Sequence, residues 1–183
     1  AQEYAFRNYS IGQGLSESVV NTLTQDEKGY IWMGTGFGLN QFDGHDFTIY
    51  LQENGLKSTQ INTLYKGADN KIWIGTSQGL HWYSPIKDSI YHVSEVPTNS
   101  IISLFEDSQN QLWLGTEEKG IYLYSPKYPR SLLHLNQSTL TFNGPVRKIV
   151  ELDSSYLLVS RSGIFELDIY NQSDSTTFNI TPI

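Results

Sequence analysis

The sequence WMGTGFGL, residues 32–39, returns twice more along the chain and decides the fold. The further copies read WIGTSQGL from Trp73 and WLGTEEKGI from Trp113, so the spacings are 41 residues (73 − 32) and 40 residues (113 − 73). A fourth, more divergent copy reads LLVSRSGI from Leu157, 44 residues further on (157 − 113). Three well-matched copies at nearly constant spacing indicate a tandem structural repeat of about forty residues.

The repeat extends beyond the tryptophans. A leucine stands nine residues before each of them, and a β-branched residue three positions earlier still: Leu23, Leu64 and Leu104, with Val20, Ile61 and Ile101. The fourth copy keeps Val146 and Ile149, one residue closer to its core. The segments DEKG, GADN and DSQN, which begin at Asp26, Gly67 and Asp107, are typical of turns because Asp, Asn and Gly tolerate positive φ. Each unit is therefore predicted to consist of short strands joined by turns, without helical periodicity.

Four strands are predicted in each unit. In the first unit they are residues 20–24, 31–35, 39–42 and 47–50. Four strands in about forty residues, repeated in tandem, are the signature of β-propeller blades. We therefore expect an all-β fold of about four four-stranded blades, over residues 16–50, 57–93, 98–135 and 144–180.

A blade cannot bury both of its faces alone, so neighbouring blades must stack on it. The recurring tryptophan is predicted to fill the space between adjacent blades, since it is the largest apolar side chain of the unit. The predicted structural core of the repeat is Trp32, Trp73 and Trp113 with Gly34, Gly75 and Gly115.

The chain is also predicted to be part of a larger ring. Phe6, Tyr9, Gly14 and Leu15 match Phe47, Tyr50, Gly55 and Leu56 at a constant offset of 41 (47 − 6), so residues 4–10 are expected to form the outer strand of a preceding or closing blade. With the outer strands of the four predicted blades, the chain then has five outer strands but four sets of inner strands, so one outer strand has no inner strands to join. We expect an open arc of a ring with seven blades, whose uncovered apolar faces associate with the rest of the propeller or with another copy of the chain.

At these residues the sequence resembles the two-component regulator propeller family. Its repeat combines Val-x-x-Leu, an Asp-x-x-Gly turn, Ile-Trp-Ile-Gly-Thr and Gly-Leu, and the stretch from Phe6 to Phe47 is similar to the first repeat of such proteins along its whole length. Gly67 in place of the turn aspartate, and the loss of Trp-Gly-Thr from the fourth copy, depart from this pattern. The resemblance implies the periplasmic sensor region of a hybrid histidine kinase, which recognises an oligosaccharide and switches on genes for glycan breakdown.

Composition narrows the function classes. A net charge of −7 and a pI near 5.0 disfavour nucleic acid and anionic membrane surfaces, both of which attract clustered Lys and Arg. The chain has no Cys, and it has no window of about 18 apolar residues that would span a membrane. The stretch GTGFG from Gly34 is not followed by a helical pattern that would direct amides at phosphate, so nucleotide binding is not expected.

No catalytic or cofactor motif stands out. The four histidines, which are interpreted as partly exposed strand residues, lack the spacing of a metal site, and no nucleophile elbow is present: His45, His81, His92 and His134. We therefore expect no enzymatic activity, no cofactor and no metal in this segment. A scaffold that binds protein is the alternative to a sugar sensor, and a propeller lyase or hydrolase is a third class.

Ligand-binding residues are predicted by analogy with other propellers, in which two sets of loops gather around the channel on one face. The loops between second and third strands supply Phe37, Gln78, Glu117, Glu118, Lys119 and Arg161. The loops that lead into the next blade supply Asn54, Lys57 and Asn99. An aromatic plate with amide and charged groups suits a sugar, so this face is the predicted oligosaccharide site.

Overall fold

The computed structural model describes residues 6–125, 127, 132–136, 144–172 and 175–183. It is all-β, with four separate four-stranded antiparallel sheets, and this confirms the predicted fold class. Parts of the predicted blade ranges and of the 4–10 segment lie outside the described residues, namely 4–5, 126, 128–131 and 173–174.

Each sheet is one blade whose strands pair in chain order. Blade one contains β1 (Val20–Gln25), β2 (Ile31–Thr35), β3 (Gly38–Phe42) and β4 (Phe47–Tyr50). Blade two contains β5 (Ile61–Lys66), β6 (Ile72–Thr76), β7 (Gly79–Ser84) and β8 (Ser89–His92). Blade three contains β9 (Ile101–Glu106), β10 (Leu112–Thr116), β11 (Ile121–Tyr124) and β12 (Leu133–Leu135). Blade four contains β13 (Val146–Glu151), β14 (Tyr156–Ser160), β15 (Gly163–Gln172) and β16 (Ser175–Pro182), the last of which continues past the predicted end at residue 180.

The turn between the first and second strands of a blade follows the sequence signal. Its fourth residue has positive φ in blades one to three, at Gly29 (87°), Asn70 (64°) and Asn110 (59°). Glycine and asparagine adopt this left-handed conformation at little cost, so these residue types fix the turn. Two single turns of 3-10 helix, Ile11–Gln13 and Gln52–Asn54, occupy equivalent places before blades one and two.

The tryptophans lie between the blades, as predicted. Trp32 and Trp113 are completely buried, and Trp73 is 3% exposed. Trp32 packs on Tyr83 of blade two with ring centroids 4.4 Å apart, and Trp113 packs on Tyr156 of blade four at 4.3 Å. Each tryptophan therefore covers the next blade in the chain, and the core is a series of such interfaces.

The repeat glycine allows the next inner strand to approach closely. A Cβ atom added at Gly34 would lie 2.5 Å from Ile61 Cγ2, and one added at Gly115 would collide with the carbonyl oxygen of Val146. Ile61 and Val146 both belong to the first strand of the following blade. Blade four has Val159 at this position, because Val159 pairs with Ile164 as Gly115 pairs with Ile121.

The arc is open at blade one. Leu23 is 68% exposed, whereas its equivalents Leu64 and Leu104 are each 8% exposed beneath a preceding blade. Among the residues that the structure describes, packing between inner strands runs from β1 through β5 and β9 to β13, and the four sheets do not close into a ring. The chain is therefore part of a larger ring, as predicted.

The segment before blade one lies against the same open face. Residues 6–10 form no strand, but the Tyr9 ring packs on Phe42 with centroids 4.7 Å apart, and Ser16 binds the Asn40 side chain through its backbone NH at 2.9 Å. Residues 4–10 were expected to form the outer strand of a preceding or closing blade. Their assignment as an outer strand, like the number of seven blades, stays a prediction.

Candidate functional site

The turns that carry most of the predicted ligand residues are built by the threonine of the repeat. Thr35, Thr76 and Thr116 are completely buried. Each Oγ1 donates to a glycine carbonyl across the turn, at 3.1, 3.0 and 2.8 Å, and accepts a turn amide at 3.0, 3.0 and 2.9 Å. The hydroxyl therefore closes the turn between second and third strands in blades one to three, and Ser160 Oγ accepts the Ser162 amide at 3.0 Å in blade four. This role of the threonine was missed from the sequence.

These turns are joined to the loops of the following blade. The Gly38 amide donates to the Thr59 carbonyl at 2.9 Å, and the Gly79 amide donates to the Asn99 carbonyl at 3.0 Å. The two predicted loop sets thus lie along one edge of the arc. We call the edge formed by residues 35–38, 76–79, 116–120 and 160–163 the upper edge, and the edge formed by the turns 26–30, 67–71, 107–111 and 152–155 the lower edge.

At the upper edge, residues of blade three share a cavity. Asn99, Ser100, Glu117, Glu118 and Lys119 line a shallow space of about 210 Å³. The Asn99 side chain donates to the Tyr122 hydroxyl at 3.0 Å, and the three charged side chains are exposed. The predicted residues Glu117, Glu118, Lys119 and Asn99 are therefore brought together.

The other predicted residues stand apart from that cavity. Phe37 is 65% exposed at the tip of its turn in blade one, and Gln78 and Arg161 are exposed on the corresponding turns of blades two and four. Lys57 and Asn54 have local roles: the Lys57 amide donates to His81 Nε2 at 3.1 Å, and Asn54 Oδ1 accepts the Leu51 amide at 2.8 Å. No cavity found among the described residues joins all of the predicted set, so their assignment as ligand contacts stays a prediction.

His81 is buried, so its interpretation as a partly exposed strand residue was wrong. Its ring is completely inaccessible, and it lies 5.0 Å from the half-buried ring of His92 at an angle of 60°. Burial, followed by the neighbouring His92, lowers the pKa of His81 to about 4, and burial also lowers the pKa of His92. Asn40 is its equivalent in blade one and likewise accepts a backbone amide. His81 is therefore a neutral structural acceptor at pH 7.

A larger cavity lies at the lower edge, between blades three and four. Its volume is about 670 Å³, within the usual range of small-molecule sites. Its wall combines the turns of both blades with Leu123, Leu133 and Ile169. The ligand residues predicted from the sequence lie at the opposite edge, and no motif in the sequence indicates this space.

Other site types find no support in the described residues. The GTGFG stretch continues into β3 rather than a helix, so its amides do not form the phosphate site of a nucleotide loop. Across the described ranges, no group of three or more His, Asp or Glu residues is placed to hold a metal ion. No helix in those ranges has the length and apolar character needed to cross a membrane.

Comparison with known proteins identifies the repeat. The two component regulator propeller repeat matches residues 14–37, 55–78 and 95–118, in blades one to three. Histidine kinase P4 of Formosa agariphila is 47% identical over 47 residues, which are 26% of this chain and 3% of that protein.

Two solved structures have the same fold over most of this chain. The extracellular domain of a hybrid two component system from B. thetaiotaomicron superposes with a TM-score of 0.81 at 25% identity, covering 93% of this chain and 26% of that one. A second such domain from the same organism superposes with a TM-score of 0.73 at 19% identity, covering 91% and 22%, and this likeness concerns the fold alone. The chain thus spans about a quarter of the solved domains that it matches.

Every described strand belongs to a propeller sheet, so the described residues contain no kinase module. Three successive blades carry the family repeat, and the arc superposes on an extracellular domain of a hybrid system. Blades one to three therefore contain two component regulator propeller repeats.

Proposed function

We propose that this propeller belongs to the periplasmic sensor domain of a hybrid histidine kinase and that it recognises an oligosaccharide in order to control glycan-utilisation genes. The observation that carries the proposal is the match over 93% of the chain to a domain described as extracellular in a hybrid two component system. An extracytoplasmic position also agrees with the acidic, Cys-free composition, which suits a soluble sensor more than a membrane or nucleic-acid partner.

The upper edge supports a sugar as the ligand. Phe37 presents an exposed aromatic ring, and Gln78 and Arg161 present exposed amide and guanidinium groups on turns that buried hydroxyls hold in place. A rigid frame with polar side chains at its rim can bind hydroxyl groups without a large ordering cost. The turns that carry Phe37 and Gln78 would act together, because Gly38 and Gly79 of these turns are each hydrogen-bonded to the loop that leads into the following blade.

The test is calorimetry of the intact sensor domain against a glycan panel, with Phe37→Ala as the variant and Ile86→Ala as its matched control. Both side chains are exposed apolar groups, at 65% and 94%, but Ile86 lies in the turn between β7 and β8, away from the upper edge. Loss of a stacking ring should weaken binding about tenfold, corresponding to roughly 1.4 kcal/mol, whereas the control should leave it unchanged. Tight binding of a protein partner, with no glycan bound by the domain, would instead favour the scaffold function.

A further inference from the structure

Side-chain size at two equivalent positions of blades two and three explains the lower-edge cavity. In blade two, the face towards blade three carries a row of four aromatic residues in register, Tyr65, Trp73, Trp82 and Tyr91. Trp82 and Tyr91 stack with their centroids 4.9 Å apart. The outer half of that interface is therefore filled by aromatic rings.

The same row in blade three ends in smaller residues. Phe105, Trp113, Leu123 and Leu133 are paired in register, so Leu123 and Leu133 stand where blade two has Trp82 and Tyr91. Leu123 and Leu133 both line the cavity of about 670 Å³. Replacing two rings with two leucines leaves the outer half of this interface open.

The cavity is held by contacts between the two blades. The Ser108 amide donates to Glu151 Oε2 at 2.9 Å, and the Ser108 hydroxyl donates to Glu151 Oε1 at 2.6 Å. The Tyr156 hydroxyl reaches from blade four to Asp107 Oδ2 at 3.3 Å. These bonds fix the separation of the two lower-edge turns, and a space whose walls are fixed in advance binds a ligand at a lower entropic cost.

The lining offers unused hydrogen-bonding groups. Gln109, Gln111, Ser125, Asp153 and Ser154 face this space, and their side chains make no hydrogen bond in the described part of the chain. Leu123, Leu133 and Ile169 supply an apolar wall beside them. Amides, hydroxyls and a carboxylate against an apolar wall match a sugar ring, which presents hydroxyl groups at its edge and C–H groups on its faces.

The charge of the lining restricts the ligand. Glu151 and Asp153 are acidic, and none of the described lining residues is Lys or Arg. A carboxylate, sulfate or phosphate group would meet like charge from the described lining, which offers it no cationic partner. We infer that the gap between blades three and four is a second binding site, separate from the upper edge, for a short oligosaccharide that is neutral or carries amino groups.

The experiment titrates the 183-residue chain with three matched series of two to six sugar units: glucosamine oligomers, N-acetylglucosamine oligomers and galacturonic acid oligomers. The cationic and neutral series should bind and the acidic series should not. Leu123→Trp, which introduces the residue of blade two, should weaken this binding at least about tenfold by filling the site. Ile86→Ala, in the exposed turn between β7 and β8, should leave this binding unchanged.

Asp153→Lys is the second variant, because Asp153 is exposed and its replacement does not disturb packing. It should weaken the glucosamine series and strengthen the galacturonate series, and circular dichroism checks that both variants remain folded. The inference is overturned if no series binds, or if folded Leu123→Trp and Asp153→Lys bind as the wild type does. Binding lost in Phe37→Ala but retained in these two would support the upper edge and refute the second site, so the two proposals fail separately.

Discussion

Asp107→Ala is predicted to be a strongly destabilising single change. The carboxylate is 5% exposed; its Oδ1 accepts the amides of Gln109 and Gln111 at 3.0 and 2.8 Å, and its Oδ2 accepts the Trp113 indole NH at 2.8 Å. The two turn amides can find water when the carboxylate is removed, but the indole of Trp113 is completely buried and loses its acceptor. An unsatisfied buried donor costs about 1–3 kcal/mol, and hydrogen bonds to a charged group contribute about 1.5–3 kcal/mol each, so a loss of about 3 kcal/mol is expected after partial rehydration.

Asp26→Ala is the matched control in blade one. Asp26 makes the same bonds, including one from Trp32 Nε1 at 2.9 Å, but it is half-exposed, so water replaces more of what is lost and about 1 kcal/mol is expected. Urea unfolding followed by circular dichroism measures both variants, and 3 kcal/mol corresponds to a midpoint shift of about 1–2 M. Trp32 and Trp113 are equally buried, so equal losses for the two variants would refute the argument that burial of the aspartate sets the cost.

Three further changes test other parts of the structure. Burial lowers the pKa of His81 to about 4, below its unfolded value near 6.5, so the stability gained from its neutral form is complete above pH 6.5 and is lost as the pH falls towards 4. His81→Asn, which introduces the residue of blade one, should make the melting temperature depend less on pH over this range. An unchanged dependence of the melting temperature on pH would contradict this prediction. Gly115→Ala places Cβ against the Ser103 hydroxyl and should cost about 2 kcal/mol or more in urea unfolding. Gly12→Ala, whose Cβ meets nothing closer than 3.7 Å, should be neutral, and equal costs for the two variants would remove the close-approach explanation. Leu23→Glu should leave the free energy of unfolding nearly unchanged and should reduce self-association measured by sedimentation. Leu64→Ala, at the equivalent buried position, should lower the free energy of unfolding by about 2–5 kcal/mol. Self-association that is the same with and without Leu23→Glu would show that the open face is not the contact surface.

The blades were predictable because their signals are local. The tryptophan, the turn residues and the alternating strands recur at fixed offsets, and each offset reports on neighbours within one blade. The burial of Trp32 and Trp113 followed from the same repeat, since a stacked blade has one place for so large a side chain.

The site was less predictable because it depends on what faces a residue across a blade interface. His81 and His134 both lie in strands beside aromatic residues, yet His81 is buried and His134 is exposed. Leu123 is an ordinary strand leucine in the sequence, and its importance appears only when it is compared in register with Trp82. Single-sequence reasoning identifies the surface a residue belongs to, but not the size of the partner opposite.

Val159 affects how the curvature of the arc can continue. In blades one to three, a hydrogen atom in place of a side chain sets the distance to the next blade, so each step along the arc has nearly the same pitch. At Val159 the isopropyl group occupies the volume into which the next inner strand would otherwise enter. Any unit that covers this face of blade four must therefore stand further off or tilt. Curvature in a repeat protein accumulates step by step, so a unit stacked on blade four would be set at a different distance or angle from the steps between blades one and four.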